Sequence, residues 1–300
     1  MNNGSSKFYR ELGYEVIEIS SRKDIILKLA LKKFDSVVSP CPSWKRECIA
    51  SMVTTSKNKT VTIHNNIKYR SLLPSGHAAS ADPKIHDIEN TLTSLKDYDL
   101  SLEDFLTAKE SLKTRFYDQN LQNEKYVVLH PTASTKYKYY PQKFWIELAA
   151  SFSNQGYNVY VLSGSQKTEI DFCLDIVKEI PQVIYLKSAN FLKLCSIIRN
   201  ANYFVGLDSS ILHLAATFDC DLVGLWSFAD YRRIFPFGSK AKIYLPEEVM
   251  KATSFKYPKN ELQWMNRARA QDIMKIFKNE ISSTFEIASL SISPVWCYKY

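Results

Sequence analysis

The second half of the chain alternates short apolar runs with segments of helical periodicity. The apolar runs, rich in Val, Leu and Tyr, predict five strands, at 126–130, 158–162, 183–186, 203–207 and 222–226. Apolar residues at helical spacing predict the intervening helices, at 141–154, 169–180, 191–200 and 210–218. Short strands separated by helices are typical of β-α units, so this half is expected to fold around a parallel sheet.

The first half shows a weaker version of the same pattern. It predicts strands at 15–19, 35–38 and 60–63, helices at 25–33 and 86–95, and a loop at 72–84. A polar, strand-free stretch at 112–124 places the domain boundary after residue 122. The expected architecture is therefore α/β, with Rossmann-like domains at 1–122 and 123–300 and a ligand cleft outside the carboxyl ends of the strands. Beyond Pro258 the pattern predicts helix over 262–279 and an irregular tail from Ser282.

Composition narrows the class of protein. Hydrophobic residues make up 45% of the 300 positions and charged residues 23%, which excludes disorder as the main state. The six cysteines form no C-x-x-C pair, and those at 173 and 195 fall inside apolar helical patterns, where buried thiols are expected. Together with the lack of an 18-residue apolar run or a signal-peptide pattern, this favours a reduced, cytoplasmic location.

The charge permits an anionic partner but does not identify one. The chain carries 39 basic and 31 acidic side chains, a net charge of +8, distributed over both halves. A nucleic-acid-binding domain usually concentrates such charge in a stripe, so no nucleic-acid partner is expected. A phosphorylated metabolite or an acidic membrane face remains compatible with the charge.

The segment Gly206-Leu-Asp-Ser-Ser-Ile-Leu-His213 is the strongest candidate for chemistry. Asp208 follows a predicted strand, and Ser209 and Ser210 lie where a helix begins, with His213 one turn further on. A helix N-terminus with small polar residues offers free N–H groups to an anion. An ordinary helix cap with a structural histidine explains the same pattern equally well.

A second candidate is His130-Pro-Thr-Ala-Ser-Thr-Lys-Tyr-Lys138, which also follows a strand. The hydroxyls of Thr132, Ser134 and Thr135 could bind phosphate oxygens, and Lys136 or Lys138 could neutralise them. A flexible polar loop is the competing interpretation. The sequence has neither a P-loop nor a G-x-G-x-x-G motif, which counts against P-loop NTPases and dinucleotide dehydrogenases.

One acidic triplet suggests a metal site at first sight. Asp219-Cys-Asp221 has D-x-D spacing, but it lies between a predicted helix and a predicted strand. A turn is expected there, so no metal ligand is assigned.

The order of these motifs resembles glycosyltransferase family 9, the ADP-heptose:lipopolysaccharide heptosyltransferases and their relatives. The resemblance covers roughly residues 84–245. It rests on the following motifs: His130-Pro-Thr-Ala-Ser, Lys138-x-x-Pro141-x-x-x-Trp145, Gly164 and Asp208-Ser-Ser-x-x-His213-x-Ala215-Ala216.

The resemblance implies a GT-B fold, in which two Rossmann-like domains with parallel sheets face each other across a cleft. The C-terminal domain would bind a nucleotide-sugar donor such as ADP-heptose, and the N-terminal domain a glycan or lipid-linked acceptor. Transfer would be inverting and independent of metal or other cofactor, at the cytoplasmic face of the inner membrane.

The resemblance also implies roles for individual residues. Lys138 would neutralise the diphosphate, and Thr132 and Ser134 would bind its oxygens. Glu169 would contact the nucleotide. The diphosphate-sugar would be held by Asp208, Ser209, Ser210 and His213.

The N-terminus departs from the family pattern. The family's first strand and its Gly-Asp loop, whose aspartate is thought to be the general base, are not found after Met1, and neither Asp24 nor Asp35 has the right context. The general base is therefore unassigned. Ser210 stands where the family often has Gly. Three hypotheses follow: an active glycosyltransferase, a degenerate non-catalytic sugar-nucleotide-binding protein, and an unrelated Rossmann-type enzyme such as a GT-B epimerase.

Overall fold

The computed structural model describes the larger part of the chain in two compact units, 1–107 and 108–300. The described residues are 9–10, 12–18, 22–30, 32–39, 58–64, 77–81, 85–95, 99–187, 190–238, 240–252, 263–281, 285–287 and 295–299. Each unit is built on its own sheet.

The first unit contains a three-stranded parallel sheet in the order β1-β2-β3. Its elements are α1 (Arg22–Leu29), β1 (Ser36–Ser39), β2 (Asn58–His64), β3 (His77–Ala81) and α2 (Asp87–Leu95). Helix α2 packs against β2 and β3. The predicted helices and the second and third predicted strands are confirmed.

Two predictions for this unit are wrong. Residues 14–18 form no strand, and two of their carbonyls accept from side chains instead: Lys28 Nζ donates to the carbonyl of Glu18 at 2.7 Å, and Arg10 donates to that of Val16 at 3.5 Å. The predicted loop at 72–84 contains β3, a parallel neighbour of β2. The small residues of β3 give almost no hydrophobic signal, so its pairing is determined by the neighbouring strand.

Helix α3 (Leu102–Arg115) crosses the border between the units, which lies earlier than the predicted boundary after residue 122. The helix is tied to the second unit by its C-terminal part. The Lys109 and Lys113 ammonium groups bind the two carboxylate oxygens of Asp219 at 2.5 and 2.8 Å, and the Asn200 amide donates to the carbonyl of Phe116 at 3.3 Å.

The second unit is an eight-stranded sheet in the order β10-β11-β9-β8-β7-β4-β5-β6. All neighbours are parallel except β10 and β11. Its strands are β4 (Tyr126–His130), β5 (Asn158–Leu162), β6 (Ile184–Leu186), β7 (Tyr203–Leu207), β8 (Leu222–Leu225), β9 (Ala241–Leu245), β10 (Phe285–Ile287) and β11 (Val295–Lys299).

The helices of this unit alternate with the strands. They are α4 (Gln119–Gln122), α5 (Gln142–Asn154), α6 (Lys167–Lys178), α7 (Phe191–Asn200), α8 (Ser210–Thr217), α9 (Tyr231–Ile234), α10 (Glu247–Met250) and α11 (Ala270–Phe277), with 3₁₀ turns at Lys136–Lys138 and Gln263–Arg267. All nine strands and helices predicted between 126 and 226 are confirmed within a few residues.

The C-terminal end of the chain differs from the prediction. The expected helix over 262–279 is a 3₁₀ turn followed by α11, and the tail expected to be irregular supplies β10 and β11. Strand β11 pairs in parallel with β9, which was not predicted either. These strands lie outside the regular alternation of strands and helices, so their formation depends on a neighbouring strand that periodicity alone does not reveal.

The core of the second unit lies between its sheet and helix α5. Trp145, Leu148 and Phe152 on one face of α5 are fully buried, as their spacing predicts. Helix α5 also packs against α6 and α11, and its Phe152 ring lies 6.0 Å from the Phe277 ring of α11. Among the described residues, no helix is long and apolar enough to cross a lipid bilayer.

Candidate functional site

The candidate residues lie at one edge of the second sheet. Strand β4 pairs in parallel with both β5 and β7, so the three strands end at the same edge. The loop beginning at Pro131 follows β4, the loop from Ser163 to Gln166 follows β5, and Asp208 follows β7. The topology thus brings together both motifs singled out in the sequence.

Lys138 and Asp208 form an ion pair at this edge. The Lys138 ammonium lies 2.5 Å from Asp208 Oδ2 and 3.0 Å from the Asp208 carbonyl oxygen. Both side chains are largely buried, with exposed fractions of 17% and 6%. The two predicted residues therefore contact each other directly, which places a fixed cation at the strand edge.

His213 approaches the same carboxylate from the first turn of α8. Its Nε2 lies 3.7 Å from Asp208 Oδ1, and its side chain is 40% exposed. Burial alone would raise the pKa of Asp208, but His213 and Lys138 together outweigh burial and hold that pKa below its ordinary value. Asp208 is therefore ionised at neutral pH and shared between two potential donors.

The N-terminus of α8 is capped by Ser209. The Ser209 hydroxyl accepts a hydrogen bond from the Leu212 amide at 3.4 Å, and Ser210 is the first, exposed residue of the helix. This is the helix cap expected from the sequence. Asp208 immediately precedes the capping residue Ser209, so the ion pair lies next to the start of α8 along the chain.

His130 also belongs to the site, although the sequence predicted no function for it. It ends β4, is 3% exposed, and its Nδ1 lies 3.3 Å from the Ser209 hydroxyl. Burial lowers the pKa of His130 to about 4, so the ring is neutral at physiological pH. Strands β4 and β7 pair in parallel with His130 opposite Gly206. Predicting that these two strands are neighbours would have placed His130 close to Ser209.

Gly206 makes the approach of His130 possible. A Cβ added at Gly206 would lie 2.7 Å from the Phe204 ring and 3.3 Å from His130 Cβ. Both neighbours are buried, so neither has room to move. Glycine is required here by close packing.

Thr132 and Glu169 meet at Gly164. The buried Thr132 hydroxyl accepts a hydrogen bond from the Gly164 amide at 3.2 Å. The Glu169 carboxylate accepts a hydrogen bond from the backbone amide of Gln166 at 2.9 Å, at the start of α6. The same carboxylate occupies the space that a side chain at position 164 would need. Thr132 and Glu169 thus both hold the β5–α6 loop in place. Each would bind a ligand only with the hydrogen-bonding capacity that the loop leaves.

The remaining residues singled out in the sequence behave differently. Ser134 is exposed in the loop after β4. Asp219 binds Lys109 and Lys113, and Asp221 binds Lys242 at 2.5 Å, so the acidic triplet serves ion pairs at a turn. Within the described part of the chain, no group of three or more His, Cys, Asp or Glu side chains is arranged to hold a metal ion. Cys173, Cys195 and Cys220 are buried free thiols.

The loop that carries Lys138 is anchored by two tyrosines. The buried Tyr140 hydroxyl donates to the Trp226 carbonyl at 2.6 Å, and Tyr139 donates to the Ala133 carbonyl at 3.2 Å. These bonds fix the chain on the C-terminal side of Lys138. The lysine is therefore held in place before any ligand binds.

The geometry suits the binding of a diphosphate. A buried lysine and the free N–H groups at the start of α8 supply positive charge at one edge, and neither requires a cofactor. Comparison with known proteins then decides the family. The model of glycosyltransferase family 9 (heptosyltransferase) matches residues 24–265. The chain belongs to glycosyltransferase family 9.

Similar proteins agree with this family. Lipopolysaccharide heptosyltransferase 3 of Escherichia coli is 28% identical over 111 residues, a match that covers 36% of this chain and only 33% of that protein. Membership in the family argues against the alternative of an unrelated Rossmann-type enzyme.

Solved structures of family members share the fold. The E. coli heptosyltransferase WaaC with ADP superimposes with a TM-score of 0.64 at 15% identity, covering 92% of this chain and 82% of its own. A family 9 glycosyltransferase from Veillonella parvula gives 0.61 at 11% identity, covering 86% and 76%. E. coli ADP-heptose heptosyltransferase II gives 0.58 at 14% identity, covering 86% and 79%. These likenesses confirm the predicted α/β fold of the GT-B class.

Proposed function

We propose that this family 9 member transfers a heptose or a related sugar from an ADP-sugar, or another NDP-sugar, to a lipopolysaccharide-core or other glycan acceptor. The observation that carries the proposal is the buried Lys138–Asp208 pair beside the N-terminus of α8. Solved relatives that contain ADP and ADP-2-deoxy-2-fluoro heptose support a nucleotide-sugar donor.

The proposed reaction places developing negative charge at this edge of the sheet. As the bond between the sugar and the diphosphate breaks, its electron pair moves to a phosphate oxygen. The Lys138 ammonium and the α8 N–H groups would stabilise that charge, so the transfer needs no metal ion. An acceptor hydroxyl attacking the opposite face of the sugar would invert the anomeric centre and lose its proton to a base that remains unassigned.

Asp208 has two roles in this proposal. In the structure it holds Lys138 and contacts His213. When a diphosphate approaches Lys138, the Asp208 carboxylate would keep the lysine oriented while its second oxygen and His213 face the sugar. Ser209 and Ser210 would then present the backbone N–H groups of α8 to the phosphate oxygens.

Thr132, Ser134 and Glu169 complete the proposed donor site. The exposed Ser134 hydroxyl would bind a phosphate oxygen directly. Thr132 would do so by donating its hydroxyl proton, since its oxygen already accepts from the Gly164 amide. Glu169, which caps α6, would contact the nucleotide with the carboxylate oxygen that the Gln166 amide does not use.

The proposal extends to domain roles and location. The domain ending at residue 122 would receive the acceptor, and that of 123–300 would bind the donor. We place the protein in the cytoplasm at the inner face of the inner membrane, where a net charge of +8 would favour contact with anionic lipid around a lipid-linked acceptor. No nucleic-acid partner is proposed.

A transfer assay tests the function. The full chain is incubated with ADP-heptose and a deacylated lipopolysaccharide-core acceptor in the presence of EDTA, and mass spectrometry follows the gain of one heptose by the acceptor. We expect transfer at an unchanged rate with EDTA and an inverted anomeric configuration by NMR. ADP binding without any transfer or donor hydrolysis would instead establish the non-catalytic sugar-nucleotide-binding alternative.

A further inference from the structure

A pocket separate from the Lys138–Asp208 site is lined in part by the 3₁₀ turn that carries Lys138. It has a volume of about 360 Å³ and is lined by residues of that turn, of the start of α6 and of the 3₁₀ turn at Gln263–Arg267. Lys138 and Asp208 do not line it. The turn thus separates two sites: Lys138 reaches Asp208, whereas Lys136 and Tyr137 face this pocket, which we call the aromatic pocket.

Rigid aromatic side chains form the walls of the aromatic pocket. The rings of Tyr139 and Phe172 meet edge to face, with centroids 5.0 Å apart, and the Tyr139 hydroxyl is fixed to the Ala133 carbonyl. Tyr140, 1% exposed, is fixed to the Trp226 carbonyl. Because the Tyr139 hydroxyl already has an acceptor within the protein, the half-buried rings of Tyr139 and Phe172 present stable apolar surfaces to a ligand, whereas the Tyr140 ring is buried.

Polar groups stand at the rim. Gln263 and Asn266 are exposed amides that can both donate and accept hydrogen bonds, and Thr168 adds an exposed hydroxyl. Of the residues that line the aromatic pocket, Lys136 is the only charged one, and the described residues give it no ion-pair partner. The pocket therefore combines aromatic faces, amides and one positive charge.

We propose that the aromatic pocket binds an acidic saccharide unit. The C–H face of a sugar ring packs on an aromatic face, its hydroxyls suit groups that both donate and accept, and a carboxylate on the sugar would pair with Lys136. A nucleobase would also stack on aromatic rings, but it brings no negative charge to Lys136. The pocket lies in the domain of 123–300, so this proposal goes beyond the acceptor role that the proposed function gives to the domain ending at residue 122.

Direct binding tests the pocket without any transfer reaction. Saturation-transfer NMR is recorded for methyl β-D-glucuronide and for the neutral methyl β-D-glucoside with the full chain. We expect saturation of the glucuronide and a signal several-fold weaker for the glucoside, because only the former carries the carboxylate. Equal signals from both sugars, or none from the glucuronide, would overturn the proposal.

Variants locate the binding. Lys136→Ala and Gln263→Ala change exposed side chains and should each reduce the glucuronide signal at least fivefold, and Phe172→Ala should abolish it. Lys143→Ala, at an 87% exposed lysine outside the pocket, should leave it unchanged. Full glucuronide binding by both Lys136→Ala and Gln263→Ala would contradict the assignment, even if Phe172→Ala failed to fold.

ADP titration of the same samples separates the two proposals. Glucuronide binding without ADP binding would leave the aromatic pocket standing while contradicting the proposed function. ADP binding without glucuronide binding would contradict only the aromatic pocket.

Discussion

Asp208 illustrates how one residue organises the site. Its carboxylate is buried and ionised, because Lys138 and His213 offset the cost of burial. The sequence indicated that Asp208, Lys138 and His213 belong to one edge of a sheet, since each follows a predicted strand or begins a helix. It could not indicate that Lys138 binds Asp208 in the absence of a ligand, because that contact depends on the path of the loop between Pro131 and Pro141.

Glu169 shows a different limit at the residue scale. The resemblance assigns it to the nucleotide, whereas in the structure its carboxylate caps the start of α6 and fills the space beside Gly164. A Glu at the third position of a helix is also a common capping residue, because its carboxylate can accept from the backbone N–H of the residue before the helix. The two roles share one sequence pattern, and the hydrogen bond from the Gln166 backbone amide to Oε2 shows which oxygen forms the cap.

His130 gives a prediction for pH dependence. The pKa of this buried ring is about 4 in the folded protein, against an ordinary value near 6.5, so the unfolded chain binds more protons between those values. Stability should therefore rise with pH through this window. It should fall by about 2–3 kcal/mol from pH 7 to pH 4.5 through this residue alone.

Urea unfolding at the two pH values measures this effect. In His130→Gln the amide can still reach Ser209 but does not titrate, so the pH-dependent loss should be smaller than in the wild type by that amount. An equal loss in both proteins would show that His130 is not held neutral by burial.

At the scale of elements, α3 is held to the second unit by the ion pairs of Asp219. Lys109 is 5% exposed, and its partner Asp219 has a φ of 54°, in the left-handed region, at the turn before β8. The sequence predicted a turn here and assigned no metal ligand. Its actual role could not be predicted, because Lys109 and Asp219 are 110 residues apart.

Asp219→Asn tests how much the ion pairs of Asp219 with Lys109 and Lys113 contribute to the stability of the fold. Asn tolerates the left-handed conformation and keeps the size of the side chain, but it leaves the buried Lys109 without a counter-charge. We expect a loss of about 3–5 kcal/mol in the free energy of unfolding, measured in urea.

Asp175→Asn is the matched control. Asp175 is 53% exposed and pairs with Lys178 one helical turn away, so its loss should cost less than about 1 kcal/mol. Similar losses in the two variants would contradict a structural role for the Lys109–Asp219 pair.

Elements differed in how well the sequence predicted them. The β-α units of the second half have short apolar strands between amphipathic helices, and their boundaries were predicted within a few residues. Strand β3 was missed because it consists of small residues and β10 because it has only three residues, whereas β9 and β11 lie outside the regular alternation of strands and helices. Such strands form where a neighbouring strand already offers hydrogen bonds, which local sequence does not record.

At the scale of the whole molecule, the chain combines a family 9 fold with a proposed donor site whose residues all lie in the second unit. Thr132, Lys138, Glu169, Asp208 and His213 fall between 108 and 300. Nucleotide binding is therefore expected to depend on this unit alone. Lys138 is the cation that we propose meets the diphosphate.

Calorimetric titration of ADP into the wild type, Lys138→Ala and Lys143→Ala tests that claim most directly, with thermal unfolding to show that each variant is folded. We expect ADP affinity to fall at least tenfold in Lys138→Ala, about 1.4 kcal/mol or more, because the buried positive charge is lost and the Asp208 carboxylate is left to repel the phosphates. Affinity in Lys143→Ala should equal that of the wild type. Unchanged ADP affinity in a folded Lys138→Ala variant would contradict the proposed site.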